Sequence, residues 1–132
     1  MTFAEIETAL GQRLSGMSGV PAIAWPNRSF TPGSATYLEF RHSPGERTDP
    51  VLAGGDPQQS GIVLITVVTP AGGFATAANT LAQQVADRFP KALRLTAGSG
   101  NVVISAPSSL ATPFQDGSWW RQPVRVFYIT ET

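Results

Sequence analysis

Apolar positions recur along this chain with two periods, and the predicted element changes where the period does. From Thr2 to Ser15 they fall three and four apart, at Phe3, Ile6, Leu10 and Leu14, which predicts an amphipathic helix. Thr2 and Glu5 have the spacing of a capping box, in which each side chain satisfies a backbone N–H of the first turn. Gly16 stands where such a helix stops. Phe74, Ala78, Leu81, Val85 and Phe89 repeat the pattern, with Gln83, Gln84, Asp87 and Arg88 off the stripe. Phe74 to Phe89 is therefore the second predicted helix, and Pro90 ends it.

Elsewhere the period is two. "ATYLEFRH" puts Tyr37, Glu39 and Arg41 on one side and Leu38 and Phe40 on the other, the pattern of a half-buried strand. "GIVLITVVTP", Gly61 to Pro70, is β-branched and apolar on both sides, so it reads as a central strand. Leu93 to Thr96 and Asn101 to Ser105 flank a glycine-rich turn and form a hairpin. Val20 to Trp25 is short, apolar and bounded by prolines, a segment packed near a sheet edge. The last strand runs from about Trp119 to Thr130, with Val124, Val126 and Tyr128 on one face and Arg125, Phe127 and Ile129 on the other.

Two stretches show no period. Ala106 to Gly117 is one. His42 to Ser60 is the longer, with three prolines, three glycines and the charges Glu46, Arg47, Asp49 and Asp56. Unstructured stretches of that length are uncommon in compact domains unless functional or disordered. The order of elements predicts an α+β domain: one antiparallel or mixed sheet of about five to six strands with two helices packed on it, spanning residues 1–132.

Composition narrows the chemistry. There is no cysteine, which removes disulfide scaffolds, thiol catalysis and thiolate metal sites. Formal net charge is zero, whereas proteins that grip nucleic acid carry a basic excess against its phosphates. A neutral chain can still surround DNA without holding it. No apolar run nears the roughly 20 residues that span a bilayer, and no basic leader precedes an apolar region. The chain reads as soluble and not exported.

No motif carries a reaction. "TPAGGFATAA" sets glycines between a strand and a helix, as anion-binding turns do, but lacks Gly-Lys-Ser/Thr and a third glycine at dinucleotide spacing. His42, the single histidine, has no Gly-x-Ser-x-Gly elbow to serve and reads as an ordinary surface residue. One histidine without cysteine makes no zinc site, and the loop acids lack a calcium-loop pattern. Catalytic, cofactor and metal residues are accordingly expected to be absent. The aromatic close of the chain is the remaining signal. Trp119 and Trp120 point to opposite faces of a strand, and Arg121 follows. Tryptophan and arginine are enriched at protein interfaces. Either a neighbouring subunit covers one face of this strand, or the strand lies central in the monomer's own sheet.

The order of elements and several phrases resemble one family. The amphipathic first helix, "TYLEF", the charged stretch after it, "GIVLITVVTPAGG", a helix ending "ADRFP" and the closing "DGSWWRQPVRVFYIT" together resemble the phage tail terminators. That family includes tail completion proteins of long non-contractile tails and relatives in prophages and gene transfer agents. The resemblance implies a non-enzymatic assembly protein without a cofactor, made in the host cytoplasm and retained in the particle's tail. It implies a six-membered ring of identical subunits on the tail tube protein. That ring stops tube polymerisation, docks the head connector protein, and lets DNA pass without specific binding. No membrane is involved. The residues expected at subunit or partner contacts are Arg41, Glu46, Arg47, Asp49, Trp119, Trp120 and Arg121. Of these, Glu46, Arg47 and Asp49 suit inter-subunit ion pairs, and one of the tryptophans suits an apolar anchor. Two other readings stay open: a neck or head-completion protein of the same particle, and a small ligand-binding α+β domain with its anion site at Gly72-Gly73.

Overall fold

A computed structural model describes residues 1–33, 35–49, 52–55 and 57–131. Asp56, one of the acids of the aperiodic stretch, lies outside the described residues. Helix α1 (Phe3–Ser15) starts as its spacing predicts. The Glu5 N–H donates to Thr2 Oγ1 at 3.1 Å and the Thr2 N–H donates to Glu5 Oε1 at 3.2 Å. Losing this cap should be measurable. Thr2→Ala is expected to lower stability by about 1 kcal/mol in denaturant titration. An unmoved midpoint would mean that packing alone holds the first turn.

Helix α2 (Thr76–Arg88) starts two residues later than its apolar stripe. Gly72 turns the chain with φ +100°, a left-handed conformation that side chains disfavour, and Phe74 is left 97% exposed outside the helix. Ala75 at the N-cap supplies no side-chain acceptor. The two helices meet at their last turns. Arg13 Nε donates to the Arg88 carbonyl at 2.9 Å, and Arg88 Nε donates to the Arg13 carbonyl at 2.8 Å. Each cation thus sits against the carbonyl-rich end of the other helix, where the helix dipole favours it. Burial, with Arg88 alongside, lowers the pKa of Arg13 from its ordinary value.

The strands are β1 (Ala22–Ala24), β2 (Tyr37–Thr48), β3 (Gln58–Pro70), β4 (Arg94–Ala97), β5 (Gly100–Ile104), β6 (Ser109–Leu110), β7 (Phe114–Asp116) and β8 (Trp119–Glu131). They form one mixed sheet in the order β1-β2-β3-β8-β5-β4, with β6 and β7 also paired to β8. The β1–β2 pair is parallel and the others are antiparallel. The segment predicted to pack near a sheet edge is thus the edge strand β1. The irregular stretch Ala106 to Gly117 contributes both β6 and β7.

The chain's aromatic close is the centre of the sheet. β8 pairs with β3 along nearly its whole length, and its other side is shared in turn by β7, β6 and β5. Pro123 has no N–H to offer a ladder, and it falls between the residues of β8 that pair with β7 and with β6. Gln122, only 2% exposed, bridges that gap by donating from Nε2 to the Ala111 carbonyl at 2.6 Å.

The long aperiodic stretch is corrected. Strand structure continues on both sides of it: β2 runs to Thr48 and β3 begins at Gln58, leaving residues 49–57 as the connection. The register shifts between Pro44 and Arg47, so the inside-outside alternation breaks there and no single period runs through the strand. The distal pairs Arg47↔Gln59 and Thr48↔Gln58 lie beyond the last β3–β8 pair, Ser60↔Ile129, and make a short arm.

One parity of every long strand meets the helices. Leu38, Phe40, Val63, Ile65, Val67, Val124, Val126 and Tyr128 form a single core with Ile6, Leu10 and Leu14 of α1 and Ala78, Ala82 and Val85 of α2. His42 shares that parity, and its imidazole is 0% exposed, so the expectation of a surface histidine is overturned. Phe3 closes over it, ring centroids 4.0 Å apart and nearly parallel. That contact explains why Phe3, on the predicted apolar stripe, is 42% exposed and outside the core.

Candidate assembly surface

The opposite parity faces away from both helices. On β2 it holds Tyr37, Glu39 and Arg41, on β3 Ile62, Leu64, Thr66 and Val68, and on β8 Trp119, Arg121, Arg125, Phe127 and Ile129. One end of this open face carries its own cover. Phe30 packs on Tyr37 at 4.8 Å, and Trp119 meets Tyr37 edge-on at 5.5 Å. Tyr37 and Val68 are buried in consequence. Farther along, Ile62, Leu64, Phe127 and Ile129 are only half-buried and take no part in the helix-side core. Ile62 and Phe127 are direct cross-strand partners, so the apolar band is continuous across β3 and β8.

A chain of charges borders the band. Arg41 Nε lies 2.9 Å from Glu39 Oε1, and Arg121 Nη1 lies 3.1 Å from Glu39 Oε2. Arg121 Nε reaches Asp116 Oδ2 of β7 at 3.0 Å. Arg121 and Glu39 side chains are 19% and 21% exposed, so this link is better shielded than a surface pair. Burial disfavours the Arg121 cation, but the hydrogen bond and charge of Glu39 outweigh it and raise its pKa above the ordinary value. Arg94 of β4 pairs with Glu131 at the far edge.

The Gly72-Gly73 turn has a different character. It borders a cavity of about 180 Å³ lined by Thr69, Gln115 and Trp120 together with the turn's own residues Pro70 to Ala75. No charged side chain among the described residues lines it. Among the described residues there is also no group of three or more His, Asp or Glu side chains placed to hold a metal ion, and no helix long and apolar enough to cross a membrane.

This architecture has known counterparts. The sequence profile of the phage tail terminator proteins matches residues 5–128. The chain belongs to the phage tail terminator family. It is thereby a structural component of the tail of a phage or phage-like particle. Among solved structures, one chain 25% identical covers 100% of this chain and 97% of its own length, with a TM-score of 0.81. A chain from the virion of a native gene transfer agent particle shares the fold at 20% identity and a TM-score of 0.66, covering 98% of both chains. No curated protein matches.

Seen as a terminator fold, the seven residues singled out in the sequence divide into three places. Arg41, Trp119 and Arg121 share the open face, the two arginines joined through Glu39. Glu46 and Arg47 are exposed on the distal part of β2, and neither forms an ion pair among the described residues. The Glu46 N–H donates to Ser60 Oγ at 3.3 Å. Asp49 follows the strand, where its Oδ2 accepts the Gly55 N–H at 2.8 Å and closes the connection. Trp120 stands apart, on the helix side, packed against the core. The sequence left the two tryptophans equivalent; the sheet separates them.

Sequence reasoning missed Glu39 as the hub, and missed Ile62, Leu64 and Phe127 as a shared band. Glu39 and Arg41 were visible on one face of a strand. Nothing in the sequence says that Arg121, 82 residues away on β8, arrives beside them across the intervening β3.

Proposed function

We propose that this chain closes the end of the tail tube as a six-membered ring, stops tube polymerisation and presents the surface to which the head connector docks. The observation that carries the reading is the family match, which runs through both helices and all the strands. The one-sided sheet supports it. Helices cover one face, and the other keeps a half-buried apolar band that a neighbouring copy would cover in a ring. Arg41, Trp119 and Arg121 then border the contact. Glu46, Arg47 and Asp49 on the arm meet the adjacent subunit, each exposed ion pair contributing about 0–1 kcal/mol. Most of the ring's stability must therefore come from the apolar band. Zero net charge suits a ring that lets DNA pass without specific binding. Assembly takes place in the host cytoplasm, with the tail tube protein and the head connector as partners. The protein acts as an assembly part and not as an enzyme.

The decisive measurement is tail length by electron microscopy in particles that lack this chain. Overlong tubes without heads are the expected result. Tails of normal length beside unattached heads would move the protein to the neck. Particles indistinguishable from wild type would overturn the assembly role.

A further inference from the structure

Four elements converge on one buried imidazole. His42 of β2 has a solvent-excluded ring, with Nε2 2.5 Å from Tyr128 Oη of β8. Among the described residues its Nδ1 has no hydrogen-bond partner, and Glu7 Oε1 of α1 lies 3.8 Å away. Phe3 lies flat on the ring. From β3, Gly61 gives Tyr128 the space to lean in, since a Cβ there would lie 2.5 Å from Tyr128 Oη. Next to this group, Gln59 ties the arm's base to Met1, just ahead of α1, and to β8. Its Nε2 donates to the Met1 carbonyl at 2.6 Å and its backbone N–H donates to Thr130 Oγ1 at 2.8 Å.

The geometry selects one tautomer. If Nε2 carried the proton, the bare Nδ1 lone pair would face the Glu7 carboxylate at 3.8 Å. With the proton on Nδ1, the N–H points toward Glu7 and Nε2 accepts the Tyr128 O–H. Each nitrogen then meets a complementary group.

We propose that His42 is an acid-operated latch, which in its neutral form pins the first turn of α1 to the base of the β2–β3 arm and releases that turn when protonated. Protonation removes the acceptor for the Tyr128 O–H and places a cation in a site without solvent. Facing it are Glu7 from α1 and Tyr128 from β8, and Val63 is its apolar partner across β3. Glu46, Arg47 and Met1 line a cleft that Phe3 and Tyr128 also border. Glu7 stands beyond hydrogen-bond distance and is 34% exposed, so it offsets only part of the cost. Burial accordingly holds His42 down at about 4. Opened, it returns to about 6.5. The latch is fully closed above that upper value and is lost as pH falls through the lower one. The device belongs to the fold of the single chain and does not depend on the ring.

The test has two readouts on the wild-type chain and one variant. Long-range proton–nitrogen spectra of the imidazole at pH 7.5 should show a single tautomer protonated on Nδ1; a population protonated on Nε2 would overturn the proposal. Hydrogen exchange, corrected for intrinsic rates, should show protection at Ile6 to Leu10 falling on the order of 50-fold between pH 7.5 and 4.5, as the two pKa values require. In His42→Gln, which retains an acceptor but does not titrate, that pH dependence should disappear. The same loss of protection in the variant would show that other groups drive it and would sink the latch.

Discussion

Replacing Gly61 by alanine is expected to destabilise the monomer by about 3 kcal/mol, the upper part of the range for overpacking a filled core. In a domain of this size that is a fall of about 10 °C in melting temperature. The reason is local. An added Cβ would lie 2.5 Å from Tyr128 Oη, 2.7 Å from Tyr128 Cζ and 2.8 Å from the Ser43 carbonyl oxygen. The last of these is backbone, held by the β2–β3 ladder on one side of a strand that β8 holds on the other. It has no rotamer through which to escape. Tyr128 cannot swing aside without giving up His42. The same substitution in a Tyr128→Phe background should cost less, because the nearest contact is gone, and still cost something, because the ring carbon and the Ser43 oxygen remain. Denaturant titration of the wild type and the three variants gives both numbers. If Gly61→Ala melts within a degree of wild type, the strands relax far more easily than this packing allows.

That glycine also shows what the sequence could and could not say. Periods are local, and the features that depended on them were legible: the capping box at Thr2 and Glu5, the stripes of both helices, the central strand over Gly61 to Pro70, and an α+β sheet with two helices packed on it. The parity of β8 is present in the alternation too, but the sequence reading leaves the two tryptophans unassigned and the sheet assigns them. Trp120 falls in step with Val124, Val126 and Tyr128, which places it inside, and Trp119 in step with Phe127 and Ile129, which places it outside. His42 likewise follows Leu38 and Phe40, so its burial was written in the alternation and masked only by its polarity.

Register is not local, and here the reading stopped. Whether Gly61 faces Tyr128, or Glu39 meets Arg121, depends on how strands far apart in sequence align, and no period encodes that. The arm was hidden for a related reason. The register shift near Pro44 inserts a break, so a stretch that pairs at both ends looks aperiodic from within. The candidate surface is made almost entirely of such non-local pairings. Single residues of it could be named in advance, but not the band they form.

The second large effect should leave the monomer intact and abolish assembly. Phe127 sits on the open face opposite Ile62, half-buried, with no helix over it. Phe127→Lys keeps an aliphatic stem against the sheet and lets the ammonium reach water, so the isolated chain should melt close to wild type. If a neighbouring copy covers this band, the charge is instead trapped without a partner. A lone buried charge costs several kcal/mol and exceeds what rim ion pairs on the arm can return. Particles carrying this variant should therefore resemble those lacking the chain, with overlong tubes and no attached heads. Gln84→Lys is the matched control, since it adds the same charge on the exposed side of α2. Normal tails in the Phe127→Lys particles, with the variant chain present and folded, would mean that nothing covers the open face. The contacts of the proposed ring would then have to be sought on the arm and at the exposed Phe74 turn.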